Sequence, residues 1–195
     1  LDFETGDLRD WTTEGAAFKD QPIKGDTVNP RRGDMRSRHQ GQFWIGGYEK
    51  LGDKPTGTLT SVPFKVTHPW ASFLVGGGPH AVETCVELVV LPGNEVFFRA
   101  AGLEEEDLRL VVVDLSKVQG KEIRVRVVDR HTGHWGHVNF DDFRFHEERP
   151  AFTRQFAGPT RLGRVLYADD FSDPGGGWDV ATIDMGDRKY DHQMY

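Results

Sequence analysis

The sequence predicts an all-β protein, an antiparallel β-sandwich of jelly-roll type. Two observations and one packing rule predict it. No window of about 12 or more residues carries apolar residues at helical spacing without a Gly or Pro interrupting it. Short runs rich in β-branched and aromatic residues recur instead, and Gly and Pro turn signals separate them at fairly even spacing. Strands must bury one face against another layer, and strands without helices leave sheet-on-sheet packing as the solution.

The elements follow in order. The opening LDFETGDLRDW reads as the first strand, with Glu4 at its start. Gln42 to Ile45 and Ala71 to Val75 are short strand-like runs. Thr84 to Leu91 (TCVELVVL) stops at Pro92-Gly93-Asn94, a turn signal, and Val96 to Arg99 follows, so the two runs predict a hairpin. Leu108 to Leu115 is another run. Glu122 to Asp129 alternates, with Ile123, Val125 and Val127 on one face and Arg124 and Arg126 on the other. Val138 to Phe140 and Phe143 to Phe145 close the series.

The pattern ends near His146, so residues 1–147 are expected to form one complete sandwich. Residues 148–165 carry Pro150 and Pro159 and no alternation, which predicts a linker or extended arm. Residues 166–195 begin LYADDFSDPGGGW, an echo of the N-terminus: Asp170-Phe171 precedes Trp178 much as Asp2-Phe3 precedes Trp11. That predicts the truncated start of a second sandwich-like module, with covalently linked neighbouring domains in a parent protein.

Composition excludes several functions. The formal net charge is -7, with no basic excess to hold a phosphate backbone, so nucleic acid is not an expected partner. No stretch approaches the ~18 apolar residues of a membrane span, so no membrane insertion is expected. The polar N-terminus is not a signal peptide, which fits one already removed or a sequence starting at a domain boundary. The single cysteine, Cys85, excludes internal disulfides, CxxC zinc pairs and CxxCH haem attachment. Within TCVELVV it is expected to be buried and inert. There is no G-x-S-x-G, and Gly76-Gly77-Gly78 lacks the following G-K-[ST] of a phosphate loop, so these glycines are expected to allow close backbone approach at a sandwich rim.

A run of motifs now stands in one order: DFETGDLRDW at 2–11, GQFWIGGYE at 41–49, TGTLTS at 56–61, FLVGGG at 73–78, ETCVELVV at 83–90, AAG at 100–102 and RVVDRHTGHWGHVNFDDFRF at 126–145. It resembles the family 66 carbohydrate-binding modules, the β-sandwiches attached to levanases and other fructan-degrading glycoside hydrolases. Similar modules occur in large secreted bacterial proteins, some with c-type cytochrome domains. The resemblance covers about residues 1–147. It implies a non-catalytic glycan-binding module, with a fructan or terminal sugar as ligand and a secreted, periplasmic or cell-surface location. It also implies that the stretch around Trp135 is mainly structural and that the loop before it lies near the ligand.

Four constellations bear on chemistry. Glu4 and Asp141, on first and last strands expected to be neighbours, are candidate ligands of a structural calcium, which wants 6–8 oxygens; Asp141 is favoured over Asp142, and the alternative is solvated strand ends. His131, His134 and His137 invite a zinc reading. Residues three apart on a strand face opposite sides, however, and Gly133 and Gly136 disfavour a helix, so convergence is not expected. Trp135 is either core or a sugar platform, with core favoured. The basic loop over 20–41, holding Arg31, Arg32, Arg36, Arg38 and His39, is either a sugar-binding loop or a solvated one. Arg38, His39, Glu83, Asp129, Arg130 and His131 are the candidate glycan-binding rim, acting through charge-assisted hydrogen bonds to hydroxyls. An interaction or spacer module without a sugar site is the competing reading; Arg31–His39 and Asp129–Trp135 loops at opposite ends, with no shared cleft, would favour it. A hydrolase requires two carboxylates about 5–10 Å apart in a cleft.

Overall fold

The computed structural model describes residues 1–151 of the 195-residue chain. The expected linker over 148–165 lies mostly outside the described residues, and the expected second module over 166–195 lies wholly outside them.

Among the described residues eleven strands form two antiparallel sheets, an all-β sandwich. They are β1 (Trp11–Gly15), β2 (Ile23–Lys24), β3 (Phe43–Gly46), β4 (Gly57–Ser61), β5 (Phe64–Lys65), β6 (Trp70–Gly77), β7 (Thr84–Val90), β8 (Glu95–Ala101), β9 (Glu105–Asp114), β10 (Glu122–Asp129) and β11 (Val138–His146). Two one-turn helices interrupt the loops, α1 (Val28–Arg32) and α2 (Tyr48–Leu51). The first sheet runs β1-β4-β10-β7-β8, with β5 also on β10; the second runs β2-β3-β11-β6-β9. Pro63, which has no N–H to donate, falls in the break between β4 and β5, and both pieces pair with the same strand β10.

Strand β10 shows why the sequence folds this way. Ile123, Val125 and Val127 are fully buried between the sheets, where they meet Leu59, Phe73 and Phe140. The alternate residue Arg126 reaches Glu87 on β7 from the outer face, and Arg99 on β8 meets the same carboxylate from the other side. The hairpin expected around Pro92-Gly93-Asn94 joins β7 to β8.

The second sheet differs because its outer face is covered. Residues 20–41 fold over it, placing Val28 and Met35 against Ile23, Trp44, Leu74 and Leu108. This cover explains why β6 is buried on both faces rather than alternating.

Two expectations need correction. The two closing runs are one strand, β11, with a bulge between Asp141 and Arg144, where Asp142 has φ 55°. The first strand is β1, not the segment holding Glu4. Glu4 lies in a turn, and what runs beside β11 is residue 1: Leu1 and Phe143 exchange backbone hydrogen bonds, both 3.0 Å.

Candidate functional site at the β10–β11 rim

Register brings the site together. Thr84 pairs with Asp129 at the start of β7 and the end of β10, and Gly57 pairs with Asp129 from the other side. The residues just beyond therefore share one rim. Arg130 N–H donates to the Glu83 carbonyl at 2.7 Å. His131 Nδ1 lies 3.3 Å from the Glu83 carboxylate, and the His131 and His80 rings lie 3.9 Å apart. Glu83 is exposed and the two histidines are half-buried. Gly78 holds this corner closed: a Cβ there would collide with the Trp135 carbonyl, so the predicted close approach of the triple glycine occurs.

Beside Arg130 lies an open groove of about 270 Å³, lined by Glu14, Gly15, Thr56, Gly57, Thr58 and Arg130. Gly15 and Gly57 face each other across β1 and β4. A Cβ on either would run into the opposite backbone, and Gly15 sits at φ +77°. Two of the six lining residues thus carry no side chain, and the others offer two threonines, one guanidinium and one carboxylate.

Beneath this rim Asp129 is buried, its Oδ1 without a hydrogen-bond partner. Burial pushes its carboxyl up to about 8, against the opposing attraction of His137. Asp129 therefore sits under the rim, not on it.

A second ionic cluster is closed. Glu106 is 1% exposed and is met by Arg31 at 2.6 Å and by the Asn139 amide at 2.9 Å. His137 Nε2 stands 3.3 Å from it, an ion-pair contact. His137 Nδ1 is 2.7 Å from Asp53. Arg31 also reaches Glu49 at 2.7 Å and lies over the Tyr48 ring. Burial alone would raise the Glu106 carboxyl; contacts with His137, Arg31 and Asn139 outweigh it and hold it at about 2. Burial likewise opposes the charged imidazolium of His137, and Glu106 and Asp53 overcome this and raise its pKa.

The three-residue histidine series does not converge: His137 belongs to this closed cluster, His131 to the open rim, and His134 is exposed. Trp135 is 9% exposed, beside His137 and under the Arg32 guanidinium. The Arg32–Trp135 contact also joins the two loops that an interaction module would have kept at opposite ends.

Arg38 and His39 stand apart from Glu83, Arg130 and His131. Arg38 pairs with Asp107 on β9. His39 accepts from or donates to Ser37 at 2.6 Å and stacks on Trp44. Both thus fasten the 20–41 cover to the second sheet.

Glu4 and Asp141 do approach one another. Asp141 is fully buried; its two carboxylate oxygens accept the Gln40 and Asp142 backbone N–H at 2.8 and 2.7 Å. Glu4 accepts from Gln42 and Phe43, and its carboxylate fills the space that a Cβ on Gly41 (φ +65°) would occupy. Burial raises the Asp141 carboxyl to about 8, and the negative charges of Asp142 and Glu4 add to this. Among the described residues no side chain forms an ion pair with Asp141. Two neighbouring carboxylates, one desolvated and without a counter-ion, make an oxygen donor set that fits a hard cation.

Cys85 is fully buried, and burial pushes its thiol up to about 11. No helix among the described residues is long and apolar enough to cross a membrane.

The chain was compared with known proteins. No protein-family model matches it. It is 31% identical over 160 residues to a putative glycosyl hydrolase, ecdE, of Aspergillus rugulosus, a match covering 82% of this chain and 22% of that protein. The chain thus spans about a fifth of the length of this curated relative. Among solved structures, TmCBM61 in complex with beta-1,4-galactotriose aligns at a TM-score of 0.49 and 21% identity, over 75% of this chain and 94% of that one. The K2 cleaved adhesin domain of Lys-gingipain aligns at 0.46 and 16%, over 75% and 97%. A family 6 carbohydrate-binding module aligns at 0.40 and 16%, over 76% and 92%. The sandwich itself is established by the strand pairing of this chain.

The sequence pattern did not reveal His80, Asp53 or Glu106 as partners. For His80 the signal was its spacing from Glu83, H-x-x-E in a Gly-Pro turn just before a strand. Asp53 and Glu106 join through contacts 84 and 31 residues away from His137, which no local pattern carries.

Proposed function

We propose that residues 1–147 form a non-catalytic carbohydrate-binding module of a larger secreted protein, taking a fructan or a terminal sugar at the β10–β11 rim. The observation that carries the reading is the groove beside Arg130: open, lined by Gly15, Gly57 and two threonines, with Arg130 and Glu14 as its charged residues and Glu83 and His131 adjoining. Such a surface offers charge-assisted donors and acceptors to ring hydroxyls. Its lining among the described residues carries one carboxylate, Glu14, where acid–base hydrolysis of a glycosidic bond uses two. The kinship with a much longer protein named as a putative glycosyl hydrolase supports an accessory role in such a parent.

The test is calorimetry and a glycan array with levan, inulin and common plant and algal polysaccharides. Binding that is lost in Arg130→Ala is expected. Folded protein that binds none of them overturns the reading.

We further propose that Glu4 and Asp141 hold a structural calcium, with backbone carbonyls completing its shell. Its role is to neutralise two carboxylates and tie the N-terminal turn to β11. Chelation is expected to lower the melting temperature, since a ion bound only by the folded state stabilises it.

A further inference from the structure

We propose that His80, Glu83 and His131 form a binding site for a borderline transition-metal dication, Zn²⁺ in the first instance. This site is separate from the Glu4–Asp141 pair; it shares Glu83 and His131 with the proposed glycan rim, but its test reads metal alone.

Three observations carry it. One ligand atom from each of the three residues lies within 4.8 Å of the other two. Tetrahedral zinc with bonds of 2.0–2.1 Å needs its ligand atoms about 3.3 Å apart, so a small side-chain rotation closes the set. Second, the Nε2 atom of His80 is buried without a hydrogen-bond partner, a polar atom oriented by the fold but unused by it. Third, the backbone holds the three residues in place. Glu83 and Thr84 donate to the His80 carbonyl at 3.0 and 2.8 Å, forming the turn that puts His80 over Glu83, and Arg130 N–H locks His131's loop onto the Glu83 carbonyl.

The donor set selects the metal. Two imidazoles and one carboxylate suit Zn²⁺, Cu²⁺ or Ni²⁺, whereas Ca²⁺ and Mg²⁺ want oxygens. Three protein ligands leave at least one position for water or a ligand oxygen, and the exposure of Glu83 places that position toward solvent. His134, close in sequence, is outside the set.

The test uses the full chain, stripped of metal and kept in excess calcium so that the Glu4–Asp141 region is unaffected. Zinc is titrated against a chromophoric indicator. One equivalent is expected, with affinity weakened by more than about tenfold in His80→Ala and in His131→Ala, since even loss of an outer partner of a ligand costs that much. His134→Ala is expected to bind like the wild type. Less than one equivalent in the wild type, or unchanged affinity in both His80→Ala and His131→Ala, overturns the site. Should a variant unfold, ¹⁵N spectra of the wild-type imidazoles decide: zinc-induced shifts at His80 and His131 support the site, and shifts confined to other histidines overturn it.

Discussion

His131 and His137 lie six residues apart on one connector, yet they sit in opposite kinds of chemistry. His137 is 2% exposed, and each ring nitrogen faces a carboxylate, Asp53 on one side and Glu106 on the other. Arg31 and Asn139 complete the partners of Glu106. His131 is half-buried, with one exposed carboxylate and a neighbouring imidazole whose Nε2 has no partner. The first cluster is enclosed, its charges opposed by one another within the fold; the second opens to solvent at Glu83 and has room for a ligand. Ionisable residues near a rim are therefore told apart by whether opposite charges enclose them, not by their number.

The closed cluster depends most on Glu106. Glu106→Gln removes the carboxylate that Arg31 and His137 share, leaving each with one partner, Glu49 and Asp53, and a loss of about 3 kcal/mol in unfolding free energy is expected by denaturant titration. A loss under about 1 kcal/mol would remove the contrast between the clusters.

Acid also separates the two clusters. Glu106 is depressed in the folded state, so its contribution is present above its ordinary value of 4.5 and is lost as pH falls toward about 2. The amount is on the order of 3 kcal/mol. His137 is raised, so its contribution is full below 6.5 and is lost as pH rises through its folded value. The closed cluster thus stabilises most between pH 4.5 and 6.5. Melting curves of Glu106→Gln are expected to be flatter than wild type across the acid limb.

A smaller effect is expected at Asp141. Calcium at a hundredfold excess over its dissociation constant adds about 2.7 kcal/mol to the wild type. Asp141→Asn is expected to show no difference between calcium and chelator in differential scanning calorimetry, and an equal response in both proteins counts against Asp141 as a ligand.

The smallest effect is on the open rim. Without metal, His80→Ala and His131→Ala are each expected to change stability by no more than about 1 kcal/mol, because they remove little that the fold uses. A loss comparable to that of Glu106→Gln would make the rim structural.

Much of the fold was legible where a strand has one wet and one dry face. Ile123, Val125 and Val127 announced β10 in this way, and Pro92-Gly93-Asn94 announced the hairpin. Strand β1 was not legible, because WTTEG is exposed along nearly its whole length and carries no alternation. The start of the chain was misplaced for the same reason: its Asp-Phe-Glu resembles a strand but forms a turn beside β11. Of the candidate rim, Glu83, Arg130 and His131 converge because Thr84 and Asp129 are paired, while Arg38 and His39 serve a surface cover that no periodicity describes. Long-range register decided both outcomes, and it depends on pairing between strands distant in sequence.

The bulge in β11 has a consequence for the rest of that strand. Val138 and Phe140 face the core before it, and Phe143 and Phe145 face the core after it, so the inward positions pass from even to odd numbers. The irregularity is a phase shift written into the backbone. Straightening the strand at constant length would keep every aromatic residue yet turn the second pair outward, whereas deleting Asp142 would remove the extra residue and leave Phe143 and Phe145 facing inward. The bulge, not the order of side chains alone, is what sets the two aromatic pairs on one face.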